Sequence, residues 1–415
     1  MNLSEVIKIP ATGLGENKFV GIKINNNRIE FHYPETFSLS TDDKELRKDI
    51  ISVLRSIELA KTLTRDKSSY NNKRTNEYVF PLKAFLWIIN DYITYGRYIN
   101  REKLYEEGVK GKINWKKTMK NDPAISQGNV VYTKIISERK DQTDNLLTEI
   151  YFYCVQKSID AVGWIYNLKF DNRGVDYYKL FNEKKYINAI NTELSRSFDD
   201  LKKMRLSNMK NVILGLDDDV FSTKELIYGV DSYEYVFEKM IDMMFSKVNK
   251  KDEFYPNAFW DILYPKMIGV KSTNLRPDTI SIKDKKVFIL DAKYYRYGTT
   301  FNPSDLPETT SIQKQITYGE YIKKVKEGQY DDVFSAFIMP YNKYNNANVD
   351  KLHEDIEFIG IARATWIDSD ESSRKIAGIL IDTRFLIENW IKRCDKSFND
   401  LMNLIETKVG ASEWK

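Results

Sequence analysis

Histidine is nearly absent from this chain: only His32 and His353 occur in 415 residues. That scarcity excludes any metal or general-base site built on a local histidine cluster. Neither His has a Lys two residues on, which excludes paired His-x-Lys chemistry. Cysteine is equally scarce, with Cys154 and Cys394 alone. Two thiols make no disulfide framework, and the few Cys and His residues, scattered at 32, 154, 353 and 394, make no zinc finger. No G-x-x-x-x-G-K-[S/T] occurs, so these residues carry no phosphate-cradling loop for NTP hydrolysis. Gly13-Leu14-Gly15 is a bare G-x-G without a preceding strand and reads as a loop. Long apolar runs are missing too: Phe85–Ile89 is far too short to span a bilayer. The opening M-N-L-S-E-V-I-K-I-P lacks the apolar core of a signal peptide. These absences give a cytoplasmic location and no membrane partner as the expectation. No tandem repeat or low-complexity segment appears.

What is present describes a folded protein. Hydrophobic residues make up 42% and aromatics 13%, unlike a disordered chain. The length allows two or three domains. Net charge is only +4, but residues 51–140 hold 18 Lys and Arg against 9 Asp and Glu, leaving the remainder at −5. A basic segment beside an acidic remainder suits a polyanion-binding part joined to a metal-binding part. An ordinary solvated surface is the alternative.

Strand patterns occupy Phe19 to Ile24 and Ile29 to Tyr33, with Asn25-Asn26-Asn27 as the turn. Leu46, Ile50, Ile51, Leu54 and Ile57 then recur at helical steps. Residues 64–77 are a polar, basic linker. A buried helix is expected from Ala84 to Tyr98, a strand from Val130 to Ser137, and helices from Asp144 to Trp164 and Asn188 to Met204. Between the first two, Lys110, Lys112, Lys116, Lys117 and Lys120 flank Trp115. Lysines near one aromatic can grip a phosphate backbone. Trp115 itself is expected to pack inward rather than stack on a base. The triplet Asp217-Asp218-Asp219 reads as a turn or helix cap, and a domain boundary falls near 215–230. A DNA-recognition region over 1–225, with a sub-boundary near 64–77, and a catalytic region over 226–415 follow as the domain expectation.

The chain's chemistry concentrates in Leu275 to Lys293. This stretch reads as a hairpin: a strand through Ile280–Ile282, a polar turn at Lys283-Asp284-Lys285-Lys286, and a buried strand through Val287–Leu290. Asp278 follows Pro277 on the first strand and Asp291 ends the apolar run of the second. Lys293, two residues on, emerges on the same face as Asp291. A hairpin register can set Asp278 beside Asp291. Adjacent carboxylates repel unless a cation lies between them, and hard oxygens with open positions suit Mg²⁺. The alternative is a surface hairpin with an Asp–Lys pair at its rim; the four apolar residues running into Asp291 weigh against it.

Around the hairpin, 231–248 is strongly helical, with Glu234 and Glu238 one turn apart on the flank of its apolar face. Phe259 to Tyr264 reads as a strand followed by a Gly-containing loop. Residues 297–310 form a loop, and Ser311 to Lys326 a helix with Gln315 beside its buried stripe. A glutamine there needs hydrogen-bond partners. Strands follow at Val333–Met339, Ile356–Ala364 and Ile376–Ile381, then helices at Arg384–Lys392 and Phe398–Thr407. This order predicts an α/β (α+β) fold, a mixed sheet flanked by helices, with a mainly helical N-terminal region.

Pro-Asp, a gap, then Asp-x-Lys resembles the PD-(D/E)xK nuclease superfamily, with Asp278, Asp291 and Lys293 at the signature positions. The element order resembles its restriction-endonuclease-like core. G-K-I-N-W-K-K-T at 111–118, R-P-D at 276–278, D-A-K-Y at 291–294, K-Q-I-T-Y at 314–318 and F-I-M-P-Y at 337–341 resemble LlaJI-type restriction endonucleases and their McrC-like relatives. The resemblance implies Mg²⁺-dependent cleavage of double-stranded DNA in a bacterial defence system. It implies metal ligation by Asp278, Asp291 and the carbonyl of Ala292, with Glu238, or second Glu234, assisting on the preceding helix. Lys293 would orient the attacking water or stabilise the phosphate, and Gln315 matches a Gln carried by some branches, although Gln315-x-x-Tyr318 is one residue short of their spacing. The partners implied are DNA, a second copy in a homodimer, or a separate motor subunit. A non-cleaving DNA-binding protein on the same fold remains open.

Overall fold

The computed structural model of the protein describes residues 3–12, 18–25, 28–65, 77–78, 81–99, 102–126, 129–141, 146–171, 173–214, 225–346, 348, 350–367 and 371–411. Gly13-Leu14-Gly15, most of the 64–77 linker, Asn26-Asn27 and the Asp217–Asp219 triplet lie outside the described residues. Two compact units form: Met1–Leu3 with Val79–Glu225, and Ser4–Tyr78 with Leu226–Lys415. The chain therefore leaves the second unit after its first 78 residues and returns to it near 225.

In the second unit, β1 (Val6–Ala11), β2 (Val20–Asn25), β3 (Arg28–Pro34), β4 (Glu77–Tyr78) and β10 (Glu225–Val230) form one sheet in the order β1-β3-β2-β10-β4. β2 and β3 are the expected pair; β1, which runs parallel to β3, has no counterpart in the sequence reading. β2 and β10 approach closely at Gly21, where a Cβ would lie 2.0 Å from the Tyr228 carbonyl oxygen. Helix Asp43–Arg65 follows, its first N–H groups at Lys44 and Glu45 capped by Asp42, 3.0 Å each. It buries Leu46, Ile50, Leu54 and Ile57, as the periodicity predicts.

The central sheet is β13 (Thr279–Lys283), β14 (Lys286–Ala292), β15 (Asp332–Tyr341), β16 (Ile356–Ala362) and β17 (Ile376–Asp382), ordered β13-β14-β15-β17-β16. β14, β15 and β17 are parallel, and β13 and β16 run antiparallel at the edges. This is a mixed α/β fold of the expected class. β14 and β15 are almost continuously apolar because both faces are covered. Ile280, Val287, Ile289 and Val333 pack against Tyr318 and Ile322 of helix Thr309–Val325. On the opposite face, Ser281 Oγ donates to the Phe245 carbonyl at the end of helix Tyr233–Phe245.

Two short segments beside this sheet differ from expectation. The Gly-containing stretch after 264 is a strand, β12 (Met267–Lys271), paired with β11 (Phe259–Ile262). The 297–310 loop holds a helical turn at Tyr297–Thr300 and a 3-10 turn at Pro303–Asp305.

The first unit is mainly helical. Helices Leu82–Tyr95, Leu146–Val162, Glu183–Arg196 and Asp200–Leu214 pack on one another. The predicted single helix from Asn188 to Met204 is two helices. Asp199 ends the continuity by accepting the Lys202 N–H at 3.0 Å, a local cap that starts a new helix. The predicted Val130–Ser137 strand is likewise two, β8 (Asn129–Val131) and β9 (Ile136–Asp141). β8 pairs with β7 (Ala124–Ser126), while β9 pairs with β5 (Glu102–Glu107) and β6 (Lys112–Ile113). Alternation alone does not reveal that the two halves serve different partners.

Candidate active site

The β13–β14 turn fixes the site. Asp284 and Lys285 adopt φ of 48° and 57°, the left-handed pair of a two-residue type I′ turn. From Lys283 opposite Lys286 the ladder runs to Thr279 opposite Leu290. The next step sets Asp278 opposite Asp291, on the face that carries Ile280 and Ile289. The Ala292 N–H donates to Asp278 Oδ2 at 3.0 Å, closing the end of the hairpin. Lys293 Nζ lies 2.6 Å from Asp291 Oδ2, and both side chains are largely covered.

Electrostatics single out the same residues. Burial, then the charges of Asp291 and Glu238, hold the Asp278 carboxyl well above the usual range, against the pull of Lys293 and the Ala292 N–H. Burial, then Asp291, push Glu238 up to about 7. Burial alone would lower Lys293, but the Asp291 charge and hydrogen bond, with Asp278, raise it. Tyr318 is raised by burial and then by Asp291 and Asp278, which places its phenol in the field of the two acids. The structure thus brings together Asp278, Asp291, Lys293 and Glu238, while Glu234 is exposed.

Gln315 lies one turn before Tyr318 and is fully buried, and neither its Oε1 nor its Nε2 has a hydrogen-bond partner among the described residues. An amide left unpaired in the interior costs about 1–3 kcal/mol. Residues 289 and 335 pair across β14 and β15, and the Ser335 hydroxyl there is also buried and unpartnered.

Three carboxylates against one ammonium leave surplus negative charge on hard oxygens, the donor chemistry of Mg²⁺. Among the described residues no group of three or more His, Cys, Asp or Glu side chains forms a ready-made metal cage.

Residues 19–370 match the LlaJI restriction endonuclease family, most of the 415-residue chain. The chain belongs to the LlaJI restriction endonuclease family. No curated protein matches it. A similar solved structure is the refined half-complex from a tetradecameric assembly of Thermococcus gammatolerans McrB AAA+ hexamers with bound McrC. It is 12% identical, covers 92% of this chain and 83% of that one, and has a TM-score of 0.39.

The predicted basic segment, 51–140, of this LlaJI-family chain is divided between the units: 51–78 belong to the second, with the acids, and 79–140, with the lysines around Trp115, to the first. Lys110, Lys112, Lys116, Lys117 and Lys120 are all exposed. Trp115 is not core: it is 55% exposed. The short helix Trp115–Thr118 instead turns Thr118 inward, where its hydroxyl accepts the Ile136 N–H at 3.0 Å. The Asn114 side chain caps this helix by accepting the Lys117 N–H, and Lys117 Nζ sits 3.1 Å from the Tyr105 ring centroid. No helix among the described residues is long and apolar enough to cross a membrane.

Sequence reasoning missed Asp242, Lys251 and Thr279 beside the acids. Asp242 had a signal, being one helical turn after Glu238; Lys251 had none, because long-range packing brings it there.

Proposed function

We propose that this chain is a cytoplasmic, Mg²⁺-dependent endonuclease that cuts double-stranded DNA at specific sequences. The observation that carries this reading is the end of the hairpin, where the Ala292 N–H holds Asp278 one step beyond the Thr279–Leu290 pair and the Lys293 ammonium sits on Asp291. Family membership supports the reaction class.

Asp278, Asp291 and the Ala292 carbonyl would hold the metal, with Glu238 at its margin. When bound, Mg²⁺ supplies Lewis-acid activation of water and neutralises charge on the phosphate. The residues do the rest. The Ala292 N–H fixes one oxygen of Asp278 and turns the other toward the ligand. Asp291 holds the Lys293 ammonium in place, so Lys293 meets the phosphate or the attacking water as a charged donor. Glu238, with its carboxyl near 7, exchanges a proton close to neutral pH. Gln315 offers its buried amide to the water or backbone that enters the site. The exposed lysines at 110–120, with Trp115, grip the DNA backbone from the first unit.

The test is digestion of mixed-sequence DNA by the full chain with Mg²⁺, the ends mapped by sequencing. Defined ends that vanish in Asp278→Asn and Asp291→Asn support the reading. Cleavage only with an added NTP-driven partner makes the chain the nuclease subunit of a motor complex. DNA binding without cleavage under either condition overturns it.

A further inference from the structure

Helix Tyr233–Phe245 carries Glu238, and the start of β13 carries Asp278. Among the groups that join them is the Lys251 ammonium. Asp242, one turn after Glu238, accepts a hydrogen bond from Thr279 Oγ1 at 3.2 Å and forms an ion pair with Lys251. The same Lys251 ammonium donates to the main-chain carbonyl of Asp278 at 3.0 Å. Lys251 opens the 3-10 turn Lys251–Phe254, whose Phe254 packs into the core beside Ile280 and Ile289. Next in the turn, Glu253 pairs with Lys326 at 3.6 Å. The ammonium is therefore held by a buttressed element rather than by a free side chain.

We propose that Lys251, with Asp242 and Thr279, is a positioning clamp that sets the spacing between Glu238 and Asp278. It rests on the metal-dependent reading above. Neither Lys251 nor Asp242 would itself ligate the metal. A charge-assisted bond to the Asp278 carbonyl fixes the backbone from which that carboxylate projects. The bond to Asp242 fixes the helix turn above which Glu238 stands. One ammonium thus ties together two acids 40 residues apart in sequence. A cavity of about 790 Å³ lies beside the clamp, lined by Asp242, Lys251, Lys247, Arg393 and Phe398 among others, and none of Glu238, Asp278, Asp291 or Lys293 lines it. The clamp residues Asp242 and Lys251 border this recess, and the acids do not.

The test measures Mn²⁺ binding to the full chain by electron paramagnetic resonance, with Mn²⁺ as the probe, alongside thermal melting. Residues that orient metal ligands from outside typically account for about 10–100-fold in affinity, and Lys251→Met is expected to weaken Mn²⁺ binding within that range. Lys251→Arg, which keeps both donated bonds, is expected to restore it. Thr279→Val is expected to weaken binding less, because it removes only one hydrogen bond to Asp242. Wild-type affinity in a folded Lys251→Met overturns the clamp and leaves the metal site standing. A Lys251→Arg as weak as Lys251→Met also overturns it. Absence of Mn²⁺ binding in the unsubstituted chain overturns both the metal site and the clamp.

Discussion

Lys293 and Asp291 stand two residues apart at the end of β14 with 2.6 Å between Nζ and Oδ2, an ion pair on the face that also presents Asp278. The ammonium is fixed by the acid rather than left to sample solvent. In the proposed reaction its charge would meet the phosphate. Lys293→Met is expected to reduce cleavage by roughly 10²-fold or more, the scale seen when a preorganised charge is removed from a transition state. Binding of the same DNA in Ca²⁺, followed by gel shift, should change little. Cleavage at the wild-type rate would remove Lys293 from the chemistry.

Glu238 links pH to stability. Its carboxyl is raised from 4.5 to about 7, mainly by burial and then by Asp291. The folded chain therefore holds this proton over a range in which the unfolded chain has lost it. Stability from this group is fully present below about pH 4.5 and is lost as pH rises through about 7. Glu238→Gln should remove that slope, making melting less sensitive to pH in this window by roughly 3 kcal/mol. Melting curves at several pH values without divalent metal check it. An unchanged slope would mean that the carboxyl titrates normally.

The exposed basic segment should be read out by salt. Each phosphate that a lysine neutralises adds about 0.9 to the slope of log K against log salt. Lys116→Ala with Lys117→Ala should therefore make binding less salt-dependent by roughly one to two units of slope. Trp115→Ala should weaken binding without altering the slope, because a ring releases no counterion. Equal salt slopes for wild type and the double variant would place DNA elsewhere.

The first unit is pinned by a buried ion pair. Arg205 donates to both carboxylate oxygens of Asp91 at 2.8 Å, and Tyr151 adds a third bond at 3.0 Å. Both charged side chains are almost wholly covered. Removing one partner leaves the other charge unpaired in the interior, at about 3–5 kcal/mol. Arg205→Met should lower the melting temperature sharply while leaving Mn²⁺ binding at the acids in place. A melt within a degree or two of wild type would show that water replaces the missing partner.

The parts of the fold legible in sequence are those governed by short-range rules. The apolar run into Asp291, the polar Lys283–Lys286 turn and the two-residue spacing to Lys293 define a hairpin and its face without reference to the rest of the chain. The 3.6-residue stripe of Leu46, Ile50, Leu54 and Ile57 does the same for a helix. Partnership across long distances is not written that way. β1 pairs with β3 in a register that no local pattern announces. The Val130–Ser137 stretch alternates like one strand, yet its halves serve different sheets. Trp115 reads as core because it is large and apolar; the four-residue helix it begins turns Thr118 inward instead. The setting of Glu238 is legible only as a position on a helix flank, since its burial is set by packing and the charge of Asp291 comes from 53 residues away.

The turn at Asp284-Lys285 commits two non-glycine residues to left-handed backbone to keep the β13–β14 ladder in one frame. Side chains on a strand switch sides with every residue. One extra amino acid in that bend would slide Thr279 into the position of Asp278 and send the Asp278 carboxylate to the far surface, with every ligand still encoded and Asp278 parted from Asp291. The hairpin tip, remote from any reacting atom, is thus the frame counter on which the chemistry depends.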